Sequence, residues 1–171
     1  PQKVITNANA QVGDILLLTK PLGTGTITTR LKAGQAIPEL EHKVCEMMAQ
    51  LNRDPSIACQ RVGVHAMTDI TGFGLLGHAL EMANASHVTL KIVPGGTNAN
   101  QLYARGAIDL ASRIGPLEQN ILFDPQTSGG LLIAVAEEKS DELRKQITDS
   151  GHLAAVIGFV DSPGEKRILV L

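Results

Sequence analysis

Residues 66–83 constrain the fold of this chain most, because they run from an apolar segment through a polar turn into a helical pattern. The turn holds Asp69 and Thr71 and is followed by Gly72 and Gly74. Beyond the glycines, apolar residues recur with the period of a helix that buries one face. They are Leu75, Leu76, Ala79, Leu80 and Ala83. The segment therefore predicts a strand, a turn and a helix, with polar side chains just before the helix.

This turn admits two interpretations. The unpaired N–H groups at a helix N-terminus favour an anion such as a phosphate. Asp69 would repel a bare phosphate, but a divalent cation bridges the two, since Mg²⁺ is usually held by one or two carboxylates plus substrate oxygens. In the alternative, Asp69 or Thr71 caps the helix, and Gly72 and Gly74 permit close packing. The residues alone leave both interpretations open.

A second polar segment, residues 124–130, precedes the apolar run 131–135, which predicts an interior strand. Its last residues offer two hydroxyls and unhindered backbone N–H groups, which suit contact with an oxyanion. These residues are Thr127, Ser128, Gly129 and Gly130. The alternative is a tight turn in which the glycines adopt positive φ angles.

A third polar segment, residues 20–26, follows the predicted strand 14–19. It contains Lys20, two glycines and several hydroxyls, so it could approach a phosphate through N–H groups and the lysine. Its spacing does not match the phosphate-binding P-loop pattern. A plain strand-to-helix turn is the alternative interpretation.

The remaining pattern alternates strands with helices. Further strands are predicted over residues 63–67, 87–93, 154–160 and 167–171, and the last two are expected to pair as a hairpin. Further helices are predicted over residues 26–31, 38–51, 54–61, 99–113 and 137–150. This order indicates a layered α/β (α+β) domain with a mixed β-sheet flanked by helices. Residues 1–10 read as a tail or linker, and residues 11–171 read as one domain.

Several residues are interpreted as structural. The helix over residues 38–51 carries an apolar stripe with two methionines, which at this spacing usually fill a core. Cys45 and Cys59 lack CxxC spacing, so they are expected to be small core hydrophobes and not disulfide or metal ligands. His65 is expected to be a hydrogen-bonded structural residue and not a base.

Composition disfavours several classes of partner. The formal net charge is −2, no Lys/Arg cluster is present, and only three Phe and one Tyr represent the aromatics. A nucleic-acid surface is therefore not expected. No apolar run has the length of a membrane span and no signal peptide is visible, so neither a membrane partner nor secretion is expected. The location expected from these features is cytoplasmic.

Three motifs together resemble selenophosphate synthetase (selenide, water dikinase), a family in the superfamily of aminoimidazole ribonucleotide synthetase. The motifs read TKPLG at residues 19–23, AMTDITGFGLLGH at residues 66–78 and DPQTSGGLL at residues 124–132. Their order and rough spacing match the carboxy-terminal half of that family, and the resemblance spans essentially the whole chain. It implies an aminoimidazole ribonucleotide synthetase-like C-terminal domain.

The resemblance implies a reaction that converts ATP, selenide and water into selenophosphate, AMP and orthophosphate with Mg²⁺. It implies that Asp69 is a magnesium ligand, which favours the first interpretation of the turn. Thr71, Gly72, Gly74 and residues 127–130 become candidates for contact with phosphate or with another domain.

The family's reactive cysteine or selenocysteine and its catalytic lysine belong to an amino-terminal nucleotide-binding half without counterpart here. No catalytic residue is therefore assigned in this chain, and Cys45, Cys59 and Lys20 lie outside the family's catalytic context. The domain is expected to be inactive alone, to pair with its own N-terminal domain, and to form a homodimer in the complete enzyme. Two alternatives stay open: another ATP-dependent member of the superfamily, and a non-catalytic packing domain.

Overall fold

The computed structural model describes residues 4–35, 38–92, 108–110, 115 and 120–171. Within these residues the strands are β1 (Ile15–Leu18), β2 (Ala66–Asp69), β3 (Thr89–Ile92), β4 (Ile108–Leu110), β5 (Leu131–Val135), β6 (Ala155–Asp161) and β7 (Ile168–Val170). The helices are α1 (Thr24–Lys32), α2 (Pro38–Ala49), α3 (Arg53–Val62), α4 (Gly74–Ser86) and α5 (Glu137–Asp149). In the same part of the chain, no helix has the length and apolar character needed to cross a membrane.

The strands form one mixed sheet in the order β2-β5-β1-β6-β3-β7-β4. The first five strands in this order pair antiparallel, whereas β7 pairs parallel with both β3 and β4. The predicted α/β domain with a mixed sheet is confirmed.

Helices cover both faces of the sheet, and the interior strand β5 is uniformly apolar because it is buried on both faces. Leu132 and Ala134 belong to the core cluster that contains the buried residues of α4. Leu131, Ile133 and Val135 belong to the opposite cluster, with α3 and α5. Because successive side chains of a strand point to opposite faces, a strand covered on both faces has no polar positions.

The predicted hairpin between the last two strands is wrong, because β3 lies between them. β3 pairs antiparallel with β6 and parallel with β7. Leu90 lies opposite Ile168 and Ile92 opposite Val170, and all four side chains are buried. An interior position for β3 buries these side chains, and this tertiary gain outweighs the short connection that suggests a hairpin.

The helix predicted over residues 99–113 is wrong at residues 108–110, which form β4; the rest of that range lies outside the described residues. Ile108 pairs with Ile168 and Leu110 with Val170 along the edge of β7. The backbone groups of β7 need partners, so sheet pairing overrides the local pattern here.

The apolar stripe of α2 is only partly covered, and its two methionines, Met47 and Met48, are half-buried, which corrects their interpretation as core residues. Val44 is buried, but Leu51, just after the helix, is 71% exposed and Leu40 is exposed too. α2 packs mainly against α1, so only part of its stripe is covered. Cys45 on this helix is exposed, whereas Cys59 on α3 is buried, so the core interpretation holds for Cys59 alone.

Candidate functional site

The three polar segments meet at one edge of the sheet. β1 and β2 both run antiparallel to β5, so both end where β5 begins. Asp69, the last residue of β2, lies opposite Leu131, the first of β5. From the other side, the N–H of Leu131 donates to Thr19 Oγ1 at 2.8 Å and its carbonyl accepts from the N–H of Thr19 at 3.2 Å. The topology thus brings together the segments that the sequence singled out.

Asp69 and Thr71 both lie at the protein surface. Both residues are exposed, while Ile70 between them is completely buried. The predicted strand 63–67 lies too early: β2 continues to Asp69, which fixes the backbone of that residue. Within the described part of the chain, the Asp69 carboxylate accepts no hydrogen bond and has no ion-pair partner. It is therefore positioned yet unpartnered.

The structure does not support helix capping by Asp69 or Thr71. The residue at the N-cap of α4 is Phe73, and no side chain bonds to the first amides there. Gly74 has a φ of 67°, and a Cβ on it would lie 2.7 Å from the Phe123 carbonyl carbon. Gly74 thus serves both backbone conformation and close packing, whereas a Cβ on Gly72 would meet open space.

Thr71 instead begins a chain of hydrogen bonds. Its Oγ1 lies 3.0 Å from His78 Nε2, and His78 Nδ1 lies 3.0 Å from Glu81 Oε2. His78 is 8% exposed, and the Glu81 side chain is 37% exposed. The ring of Phe73 lies 5.7 Å from the His78 ring at a tilted angle. Gly77 makes room for Phe73, because a Cβ there would lie 2.5 Å from the Phe73 Cβ.

The backbone of Thr71 is held from two sides. Its carbonyl accepts from the N–H of Gly74 and from the N–H of Gln126, both at 3.0 Å. The first bond closes the turn before α4, and the second joins it to the loop at residues 124–130. The position of Thr71 therefore depends on two of the three motifs.

The loop at residues 127–130 is fixed through its carbonyls. Each of three successive carbonyls accepts a hydrogen bond from a different part of the chain: Ser128 from Lys20 Nζ at 2.7 Å, Gly129 from Asn52 Nδ2 at 2.8 Å, and Gly130 from the N–H of Ile70 at 2.8 Å. No described residue accepts a hydrogen bond from the N–H groups of these three loop residues. The carbonyls are thus occupied while the N–H groups remain available.

The two glycines of this loop are required for close contact and not for positive φ, which corrects the turn interpretation. A Cβ on Gly129 would lie 2.2 Å from the Ile70 carbonyl oxygen, and one on Gly130 would lie 2.5 Å from the backbone nitrogen of Lys20. The residue with positive φ is Ser128, at 56°. Glycines here allow the three segments to touch.

Lys20 is buried beneath this loop and does not reach toward solvent. It is 2% exposed, and its Nζ donates to the carbonyls of Ser128 and Gln50, each at 2.7 Å. Burial lowers the pKa of its ammonium group. Among the described residues, no carboxylate pairs with it. The interpretation of Lys20 as a direct phosphate donor is therefore wrong, and its charge acts from below the loop.

The amides at the start of α1 are also engaged. Asp124 Oδ2 accepts from the N–H of Gly25 at 2.9 Å, and Gln126 Oε1 accepts from the N–H groups of Gly23 and Thr24 at 3.2 and 3.4 Å. These buried side chains thus supply the caps that α1 lacks locally. Residues 20–26 connect β1 to α1, as the alternative interpretation held, and the amides of Gly23, Thr24 and Gly25 already have acceptors within the chain.

His65 is structural, as expected, and lies at the opposite edge of the sheet. Its Nδ1 contacts the buried Asp14 carboxylate at 2.8 Å. Asp14 also accepts from the N–H of Gln11 at 2.8 Å. The pair ties the starts of β1 and β2 together across β5.

Sequence reasoning missed the roles of His78, Glu81 and Asn52. It assigned no role to any of the three. The spacing of three residues between His78 and Glu81 was a usable signal, because side chains at i and i+3 are neighbours on a helix. The contacts from His78 to Thr71 and from Asn52 to Gly129 depend on tertiary structure.

The donor set at this edge suits a cation that keeps other ligands. In the described ranges, no group of three or more His, Cys, Asp and Glu side chains lies together as a complete metal site. Asp69 and Thr71 are exposed residues two positions apart, and they offer one carboxylate and one hydroxyl. Mg²⁺ is commonly bound by one or two carboxylates with water and substrate phosphates. The residues present therefore fit Mg²⁺ as part of a shared site.

Comparison with known proteins gives two consistent results. Residues 11–170 match the family model described as AIR synthase related protein, C-terminal domain. The chain is also 41% identical to a selenide, water dikinase of Clostridioides difficile (strain 630), over 100% of this chain and 55% of that protein. A selenide, water dikinase of Bdellovibrio bacteriovorus is 40% identical over 99% of this chain and 54% of its own length. The chain thus spans about half the length of these relatives.

Solved structures share the fold at low identity. A thiamine-monophosphate kinase from Stenotrophomonas maltophilia superposes with a TM-score of 0.68 at 16% identity, covering 98% of this chain and 53% of that chain. The hydrogenase maturation protein HypE in complex with ATP superposes with a TM-score of 0.67 at 20% identity, covering 96% of this chain and 47% of that chain.

Proposed function

The chain belongs to the family of AIR synthase related proteins, as their C-terminal domain, and on that premise we propose that it is the C-terminal half of a selenide, water dikinase. In the complete protein, ATP, selenide and water would yield selenophosphate, AMP and orthophosphate. The relatives at about 40% identity carry that name, whereas the solved structures with other activities are no more than 20% identical.

The observation that carries this proposal is the convergence of three motifs around Asp69. The carboxylate is exposed, sits on the last residue of a strand and has no partner within the described residues. An unpartnered carboxylate on a rigid element is suited to hold Mg²⁺ against the phosphates of ATP. The cation would supply charge neutralisation and orientation, which account for most of the catalysis in phosphoryl transfer.

The loop at residues 127–130 is proposed to face the phosphate groups. Its carbonyls accept from Lys20, Asn52 and Ile70, whereas no described residue accepts from the N–H groups of Ser128, Gly129 and Gly130, and these groups are proposed to donate to an anion. Successive backbone N–H groups in a turn form a concave anion site. The buried charge of Lys20 raises the positive potential there without contacting the ligand. Thr127 is fixed by its own N–H, which donates to Thr24 Oγ1 at 3.0 Å.

Gly72 and Gly74 contribute differently to the proposed site. Gly74 allows the turn before α4 to adopt its conformation. Gly72 lies where a side chain would meet open space, so a ligand has room to approach the backbone there. Both roles concern the shape of the site and not its charge.

The nucleotide-binding and catalytic groups are proposed to lie in an N-terminal domain, since the chain spans 55% of its relative. The 171-residue chain alone is therefore expected to show no ATP cleavage in the presence of selenide. The N-terminal domain is the proposed partner of the edge that carries Asp69, and the complete protein is proposed to be a homodimeric cytoplasmic enzyme.

A second candidate function is that of another ATP-dependent enzyme with this fold, as HypE binds ATP. Phosphorus NMR of the complete protein with ATP, Mg²⁺ and selenide separates the two candidates. AMP, orthophosphate and a selenium-coupled phosphorus signal are the expected products. Formation of ADP without a selenium-coupled signal would contradict the proposal and favour the second candidate.

A further inference from the structure

We propose that His78 and Glu81 are positioning residues that fix the proton of the Thr71 hydroxyl. The lone pairs of the Thr71 oxygen are then available for a cation, so that Thr71 serves as a second ligand beside Asp69. This inference rests on the proposed function, because it takes Asp69 as a ligand of Mg²⁺. It adds a ligand and the residues that orient it.

The direction of the hydrogen bonds follows from the chemistry of the three groups. A carboxylate only accepts hydrogen bonds, so the tautomer that fits the 3.0 Å contact with Glu81 Oε2 carries its proton on Nδ1 and none on Nε2. His78 Nε2 is then an acceptor, and Thr71 must donate its O–H across the 3.0 Å contact. Because its proton is donated to His78, the Thr71 oxygen can interact with other groups only through its lone pairs, as a hydrogen-bond acceptor or a metal ligand.

The surroundings of His78 hold this arrangement in place. His78 is 8% exposed, and the ring of Phe73 packs against its imidazole at a tilted angle. Exclusion of water strengthens both hydrogen bonds of the ring. The backbone of Thr71 is anchored by Gly74 and Gln126, and a β-branched side chain has few χ1 states. The oxygen is thus fixed by its backbone and by its proton.

The position of Thr71 suits a shared cation. Asp69 and Thr71 are both exposed, and only the buried Ile70 separates them along the chain. A hydroxyl next to a carboxylate is a known oxygen donor pair for Mg²⁺, since a Ser/Thr hydroxyl binds Mg²⁺ in phosphate-binding loops. Residues behind a metal ligand commonly orient it, and their loss weakens metal affinity.

The decisive experiment measures Mn²⁺, as a probe for Mg²⁺, by electron paramagnetic resonance on the complete protein with ATP. The bound Mn²⁺ that is present in the wild type and absent in Asp69→Asn defines the site. Thr71→Val and His78→Leu are each expected to lower its Mn²⁺ affinity by about tenfold, the range typical of residues that orient a ligand. Thr71→Ser keeps the hydroxyl and is expected to retain affinity near that of the wild type.

The chain offers a matched control in a second histidine–glutamate pair. His42 and Glu46 lie on α2 with their side chains 3.3 Å apart and largely exposed. His42→Leu and Glu46→Gln are expected to leave Mn²⁺ affinity unchanged, whereas Glu81→Gln is expected to lower it. Circular dichroism verifies folding of each variant, and Thr71→Val, a substitution of similar shape, keeps the test available if His78→Leu fails to fold.

The outcomes separate this inference from the proposed function. If Asp69→Asn removes a Mn²⁺ site but Thr71→Val binds like the wild type, the inference is overturned and the proposed function stands. If Asp69→Asn binds as well as the wild type, the proposed metal role itself fails. Mass spectrometry of the protein after turnover gives a further check: phosphate covalently bound to Thr71 would show an activated nucleophile and overturn the positioning role.

Discussion

Lys20 illustrates how a single buried residue organises the candidate site. Its ammonium group lies beneath the loop at residues 127–130 and bonds the carbonyls of Ser128 and Gln50. An ionised group without a carboxylate partner is costly to bury. Under the proposed function, the same charge would favour an anion bound at this loop, which would offset part of that cost.

The first prediction concerns the pH dependence of stability. Burial lowers the pKa of Lys20 in the folded state, while the unfolded chain keeps the ordinary value of about 10.4. Between these values the unfolded state binds more protons, so the free energy of unfolding gains a contribution that grows as pH rises. The contribution is complete above the unfolded pKa and is lost as pH falls through the folded pKa.

Denaturant titrations of wild type and Lys20→Met across that alkaline range test this. The unfolding free energy of the wild type, minus that of Lys20→Met, is expected to increase as the pH rises. Lys32→Met, at an exposed lysine at the end of α1, is the control and is expected to track the wild type. A constant difference between wild type and Lys20→Met would contradict the account.

The second prediction concerns the two thiols. Burial raises the pKa of Cys59 to about 12, whereas Cys45 is exposed. Because the thiolate is the reactive form, one thiol is expected to react with Ellman's reagent at pH 8 in the folded chain, and two after unfolding. Cys45→Ser should abolish the fast reaction. A fast reaction that survives this substitution would show that Cys59 is accessible.

At the scale of elements, contacts between segments decide the shape of the site. The turn before α4 and the loop before β5 touch through backbone atoms, and the end of β1 reaches the same loop. The site is therefore built by the junctions of strands with the segments beside them. Substitutions at these junctions are therefore expected to lower the free energy of unfolding more than substitutions within the turns.

The third prediction compares two glycines on this basis. Gly129→Ala places a methyl group 2.2 Å from the Ile70 carbonyl oxygen, which neither backbone can relieve easily. The free energy of unfolding is expected to fall by about 3 kcal/mol, the upper end for overpacking. Gly72→Ala, where the methyl group meets open space, is the matched control and is expected to be close to neutral. Equal effects, measured by urea denaturation, would contradict the packing argument.

The sequence predicted those elements whose local pattern agrees with their tertiary setting. The apolar period of α4 and the uniformly apolar β5 were recognised because burial alone explains them. The position of β3 between β6 and β7 was not, since strand order depends on pairing between distant segments. The sequence pattern marked Asp69, Thr71 and residues 127–130 as candidate site residues. It did not predict the contact between Thr71 and His78 or the burial of Lys20. Both depend on which segments the sheet brings together.

At the scale of the whole molecule, the candidate site lies at one edge of the sheet and is incomplete by itself. It offers Asp69, Thr71 and the loop at residues 127–130, and the described residues contain no complete metal-binding cluster. The chain spans 55% of the selenide, water dikinase of Clostridioides difficile. A site completed by a nucleotide-binding domain and its ATP accounts for both observations under the proposed function.

The central claim is that Asp69 holds Mg²⁺ for ATP cleavage, and phosphorus NMR of the complete protein with ATP, Mg²⁺ and selenide tests it most directly. Asp69→Asn is expected to remove AMP and selenophosphate formation while the protein stays folded, because the amide lacks the charge that binds the cation. Asp54→Asn, at an exposed aspartate at the start of α3, is the matched control and is expected to retain activity. Full activity of Asp69→Asn would contradict the account and place the cation elsewhere.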